Sequence, residues 1–203
     1  MSAADPNPSL GEPPPDLRRI ELPLVELHAR DLLYRIHRLT SEPLWFGPGP
    51  QPVNRFDDPR GKYGVCYFGL TRDAAFAETF LRQPPVRMIS RAFADDRGFA
   101  EFAIGRPLRV VQSYDAGLAR IGATSTIASG VHDIARRWSR AFWEHPSKPD
   151  GIQYRCRHDD GEMAIALYDR CVSALSEAQR FSIREDVVWF GSVLERYRLA
   201  LDD

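Results

Sequence analysis

The residues with the most chemistry to offer are spread along the chain: Arg35 in LLYRIH, Arg55 in NRFDDPRG, Tyr67 in VCYFGL, Glu78 in TRDAAFAETFLR and Cys156 in GIQYRCRH. A guanidinium can grip phosphate oxygens two at a time, where an ammonium acts as a point charge. A fixed carboxylate stabilises positive charge developing beside it. A cysteine near a histidine can become a nucleophile, and Cys156 has His158 two residues on and His37 elsewhere in the chain. Each residue also has an ordinary explanation. Arg35 fits a solvated strand arginine, Glu78 a solvated helix carboxylate, and Tyr67 and Cys156 core packing. Arg55 could simply pair with Asp57 or Asp58 in its loop. CRH carries no further signature of a Cys–His hydrolase, and Cys156, His158 and Asp159 lack the paired spacing of zinc ligands.

The elements that must position these residues follow from pattern. LLYRIH (32–37) and VCYFGL (65–70) have strand character, and alternation turns Arg35 away from the face shared by Tyr34 and Ile36. Between them, residues 41–64 are dense in Gly, Pro and Asp, which predicts a long irregular loop of functional use. Thr71 offers an N-cap for a helix through about Arg82, ended by Pro84-Pro85, with Glu78 at the margin of an apolar face made by Phe76, Ala77, Phe80 and Leu81. VRMISRAF, FAEFAI and LRVVQS follow as β-type runs. VHDIARRWSRAFWEH (131–145) is a strongly amphipathic helix, with Val131, Ile134, Ala135, Trp138, Ala141 and Phe142 on one side. GIQYRC and MAIALYD return to strand character, and the C-terminal third reads as helical near 174–180 and 185–196. Strands and helices mix without strict βαβ alternation, so the fold class is α+β.

Composition bounds the rest. A chain of 203 residues suits one domain able to bury its own core. Five prolines between Pro6 and Pro15 make residues 1–16 a Pro-rich disordered tail, leaving 17–203 as a single unit. A net charge of −1 gives no field to draw nucleic acid or anionic membrane, so an anionic ligand must be held by a few placed arginines. The Arg136-Arg137-Arg140 surface is read as the outer face of a packed helix rather than a DNA reader. No apolar run approaches the roughly 20 residues of a membrane span, and the N-terminus lacks the pattern of a secretory signal. Three cysteines without a CxxC pair point to a reducing cytoplasm.

Taken together, LYRIH, NRFDDPRGKYG, CYFGLTRDAAFAETFLR and DGIQYRCRHDDGEMAIALYDR resemble, in order and spacing, the motifs of RES-domain proteins. The resemblance covers residues 32–170. Its most specific stretch sets Tyr67 eleven residues before Glu78. It implies a single domain with an ADP-ribosyltransferase-like split mixed β-sheet and flanking helices, holding NAD as substrate in a cleft and needing no metal. It also implies cleavage of the nicotinamide–ribose bond, with water, phosphate or a protein side chain as acceptor. Many such proteins are toxins restrained by an antitoxin with a helix-turn-helix region of the Xre type; a homo-oligomer is compatible with the sequence.

By position, Arg35 matches the family arginine, Glu78 the glutamate, and Arg55 and Tyr67 the supporting arginine and tyrosine. Cys156 stands where the family serine is expected. The resemblance thus implies catalytic roles for Glu78, Arg35 and Cys156, and NAD contacts for Arg35, Arg55, Tyr67 and Cys156. Arg35 and Arg55 would take the pyrophosphate, Tyr67 would face the nicotinamide ring, and Glu78 would stand beside the ribose as it becomes cationic. A thiol donates and accepts more weakly than the hydroxyl it replaces. That departure keeps open a second reading, a weak or inactive RES-like binding protein.

Overall fold

The computed structural model describes residues 11–47, 51–82 and 87–202. Its main sheet is built from β1 (Leu24–Leu27), β2 (Leu32–Arg38), β3 (Val65–Gly69), β5 (Arg97–Ile104), β6 (Leu108–Gln112), β7 (Gly151–Arg155), β8 (Met163–Tyr168) and β9 (Leu175–Ser182), in the order β1-β6-β7-β8-β3-β2-β5-β9. β6 and β7 run parallel, joined by a crossover holding three helices, α3 (Ala116–Arg120), α4 (Thr126–Ser129) and α5 (His132–Trp143). The other neighbouring pairs in this sheet are antiparallel. A small parallel pair, β4 (Met88–Ile89) with β10 (Ala200–Leu201), lies apart. The remaining helices are α1 (Arg72–Phe80), α2 (Arg91–Asp95) and α6 (Val187–Arg196).

The sheet is divided at one place. β2 pairs with β5 over seven residues and β3 with β8 over five, yet β2 and β3 share a single registered pair, Tyr34 with Gly69. Beyond that pair the strands part, and the gap is where a cleft can open. This is the α+β architecture with a split mixed sheet that the resemblance implies.

Period-two alternation distributes the core between the two faces of β3 and β8. Cys66, Phe68, Ile165 and Leu167 point into one apolar cluster with Leu33 and Phe102, while Val65, Ala164, Ala166 and Tyr168 join Trp138 and Phe142 of α5 on the other. Tyr34 and Ile36 pack with Phe76 of α1 and Phe190 of α6, leaving Arg35 on the opposite face of β2, as alternation requires. Thr71 caps α1, its hydroxyl accepting from Ala74 N at 2.9 Å. Gly69 makes the turn from β3 into α1 tight enough, because a Cβ there would lie 2.4 Å from Ala75 N. The helix carrying Glu78 is thereby seated beside the split.

Several local expectations need correction. Residues 174–180 are not helical: a 3-10 turn (Asp169–Ala174) leads into β9, which completes the sheet edge against β5. Ala, Glu, Gln and Arg favour a helix there, but ladder hydrogen bonds on β5 outweigh that weak preference. Among the described residues of VRMISRAF only Met88–Ile89 is strand; Ser90 then accepts from Phe93 N and caps α2. Val131, placed on the apolar side of α5, is the N-cap residue and is 65% exposed. Residues 11 and 12, assigned to the tail, are held on α5: Trp138 Nε1 donates to Gly11 O at 2.6 Å, and Arg137 pairs with Glu12. Residues 1–10 and the Pro84-Pro85 pair lie outside the described residues.

Candidate active site

A cleft of about 760 Å³ opens beside the split and is lined jointly by Arg35, Tyr67 and Glu78, with Asn54, Trp45 and Phe80 among its other walls. The guanidinium of Arg35 closes the divided ladder: its Nη1 donates to the backbone oxygen of Tyr67 at 2.7 Å, while its buried Nε has no partner. Arg35 is therefore partly structural, tying β2 to β3 where the strands separate.

Tyr67 is fixed from two sides. Its hydroxyl accepts from Phe56 N at 2.8 Å and donates to Asp57 Oδ1 at 3.1 Å, and its ring stacks near Phe56 at 6.4 Å between centroids. Burial and the neighbouring Asp57 carboxylate push the phenol well above its ordinary range, so it stays protonated. Asp57 is 1% exposed and also accepts from Val53 N at 3.0 Å and Asn54 N at 2.6 Å. It does not pair with Arg55; it folds the loop and aims the tyrosine.

Arg55 and Cys156 stand outside the cleft lining, though both feel the charge of Glu78. Arg55 Nη1 donates to Gly130 O at 2.6 Å, at the end of α4. Burial lowers the Arg55 guanidinium from its ordinary value; Tyr154, Glu78 and Tyr67 act against that, while Arg157 adds to it. Cys156 is 1% exposed, its Sγ 3.9 Å from the backbone oxygen of Ala74 on α1. Burial, then the Glu78 and Glu162 carboxylates, push its thiol far up. A nucleophilic cysteine is accessible and paired with a base, whereas this thiol is buried against a backbone carbonyl, which speaks against the Cys–His hydrolase. His37 does not meet the thiol: its Nδ1 is engaged with the backbone oxygens of Arg38 and Ser41, and its buried Nε2 has no partner. Asp159 is engaged by Arg196 and Tyr197, and no metal-binding group of His, Cys, Asp and Glu occurs among the described residues.

Sequence reasoning passed over two side chains. Tyr154 donates its hydroxyl to Glu78 Oε2 at 3.3 Å. Its position on β7, two residues before Cys156 just past the strand end, is a usable signal, since period-two alternation turns both to one side. Asp57 was considered only as a partner for Arg55. The arginines of α5 are engaged internally: Arg136 donates to the backbone oxygens of Asn54 and Pro52, and Arg140 pairs with Glu144 at 3.0 Å.

Comparison with known proteins gives three findings. The RES domain family matches residues 32–189. A protein described as "Probable toxin y4kH" from Sinorhizobium fredii is 36% identical over 78 residues, spanning 38% of this chain and 61% of that protein, less than two thirds of its length. The crystal structure of the M. tuberculosis MbcT–MbcA toxin–antitoxin complex contains a chain that superposes with a TM-score of 0.65 at 10% identity, covering 85% of this chain and 91% of that one. At that identity the likeness establishes the fold.

Proposed function

Because the chain belongs to the RES domain family, we propose that it cleaves the nicotinamide–ribose bond of NAD and acts as the toxin of a toxin–antitoxin pair. The observation that carries this reading is the convergence of Arg35, Tyr67 and Glu78 on one cleft at the division of the sheet. The glycosidic electron pair leaves with nicotinamide, and the ribose carbon becomes cationic. Glu78 supplies a fixed negative charge beside that carbon, the placement that favours the transition state over the bound substrate. Tyr67 offers its ring face to the nicotinamide. Arg35 has one terminal nitrogen on the Tyr67 carbonyl, and the other is left to take a phosphate oxygen. Arg55 adds positive charge from the loop side. Water, inorganic phosphate or a protein side chain then attacks the ribose carbon.

The cleft also suits restraint by a partner, here an antitoxin with a helix-turn-helix region of the Xre type. The cysteines are free thiols, in keeping with action in the reducing cytoplasm, and no helix among the described residues is long and apolar enough to cross a membrane. One observation favours a second reading, a protein that binds without turning over. Cys156 replaces the family serine and is 1% exposed, so no hydroxyl is presented at that point. Incubating purified protein with NAD and measuring free nicotinamide decides between the two. Nicotinamide release insensitive to a chelator is expected; NAD that stays intact at high protein concentration makes this a binding protein.

A further inference from the structure

Glu78 lies in the last turn of α1, where the helix presents its negative pole and a carboxylate is electrostatically disfavoured. Glutamate also has three side-chain torsions, so a carboxylate left unheld samples many positions. A group that aims it must be a donor, rigid, and uncharged.

Tyr154 meets all three conditions. It is 3% exposed on β7, and its register partner Ala164 on β8 pairs in turn with Gly69, the residue that seats α1. Its ring meets Phe56 edge-on, with centroids 5.1 Å apart. Phe56 is itself pinned at both ends, its N–H donating to Tyr67 and its backbone oxygen accepting from Ser139 Oγ at 2.8 Å. Burial and the Glu78 charge keep the Tyr154 phenol protonated, so its hydroxyl donates to the carboxylate. Cys156, just past the end of β7 and in the same core cluster, can add only a weak S–H donor.

We infer that Tyr154 is a positioning residue that holds the Glu78 carboxylate in its working orientation by a hydrogen bond from a fixed, buried hydroxyl. The inference rests on the proposed reading of Glu78 as the residue that stabilises the cationic ribose. Tyr154 acts through Glu78 and does not touch the substrate. Its removal should therefore change turnover and leave NAD affinity nearly alone, and the effect should vanish once the carboxylate is gone.

The test compares wild type, Tyr154→Phe, Glu78→Gln and the double variant for nicotinamide release from NAD. Tyr154→Phe removes one oxygen and keeps the packed ring. Its kcat is expected to fall about tenfold, with KM within about twofold of wild type. Adding Tyr154→Phe to Glu78→Gln should give no further loss, the non-additivity of residues acting as one unit. An unchanged kcat, or an equal fold-loss in both backgrounds, overturns the inference. A crystal structure of Tyr154→Phe supplies a readout independent of turnover: the Glu78 carboxylate should leave its present place, and finding it unmoved also overturns the inference. If wild type releases no nicotinamide, the proposed function fails, and the crystal structure alone decides whether Tyr154 positions Glu78.

Discussion

Tyr67 and Asp57 share one hydrogen atom's worth of contact, phenol to carboxylate at 3.1 Å, and through it a cleft-lining tyrosine is fixed to the loop that brings Asn54 to the same cleft. Asp57 accepts two loop N–H groups besides, so one buried carboxylate sets both the loop and the ring. Asp57→Ala should therefore destabilise the protein by about 3 kcal/mol, since it leaves buried donors unpaired. Urea unfolding measures this; a loss below about 1 kcal/mol would mean that water replaces the carboxylate.

Tyr67 separates into a hydroxyl and a ring. Tyr67→Phe should cost about 1–2 kcal/mol of stability, because Phe56 N and Asp57 each lose a partner, while KM for NAD changes little. Tyr67→Leu removes the flat face as well and should raise KM roughly three- to tenfold. Equal KM for the two variants would take the ring out of substrate recognition.

Glu78 and Arg35 should divide by kinetic parameter. Glu78→Gln is expected to lower kcat roughly a hundredfold or more with NAD binding nearly intact, as its charge matters once the ribose is cationic. Arg35→Ala should raise KM by roughly ten- to a hundredfold and also lower stability, because the carbonyl of Tyr67 loses its donor at the divided ladder. In growing cells, expression of the wild type should deplete NAD and arrest growth where Glu78→Gln does not. Normal NAD levels at high expression would count against a toxin.

The three thiols offer a chemical check. Cys66, Cys156 and Cys171 are each buried, and burial raises all three thiols above their ordinary value, so they remain protonated at neutral pH. An alkylating reagent should leave the folded protein unmodified and label three sites after denaturation. Cys156→Ser should keep or raise activity, while Cys156→Ala should lower it about two- to tenfold. A folded but inactive Cys156→Ser would return the thiol to a covalent role.

Much of this arrangement was legible in the sequence because it is local. Thr71 as a cap, the alternation that turns Arg35 away from Tyr34 and Ile36, and the amphipathic stripe of α5 each depend on spacing within one element. What escaped depends on distant partners. Tyr154 meets Glu78 across 76 residues, and only the pairing of β7 with β8 and β8 with β3 brings them together. Asp57 binds the backbone of its own loop, and nothing in NRFDDPRG distinguishes that from an ion pair with Arg55. The edge strand β9 reads as helix in sequence because its exposed residues carry helix-favouring types, and the β5 ladder that overrides them pairs residues as far apart as Gly98 and Ser182.

The segment 52–56, which brings Asn54 to the cleft, has no strand ladder; its N–H groups are held by Asp57 and Tyr67, and its carbonyls hang from one helix. Arg136 of α5 takes the carbonyls of Pro52 and Asn54, and Ser139, one turn on, takes that of Phe56. Loop and helix are thus a single heritable unit. A loop transplanted from a relative without its own α5 contacts would arrive with unmet carbonyls and settle elsewhere, carrying Asn54 and Arg55 with it. Exchanging cleft walls between family members should succeed only when positions 136 and 139 travel with the loop, although they lie some 80 residues away in sequence.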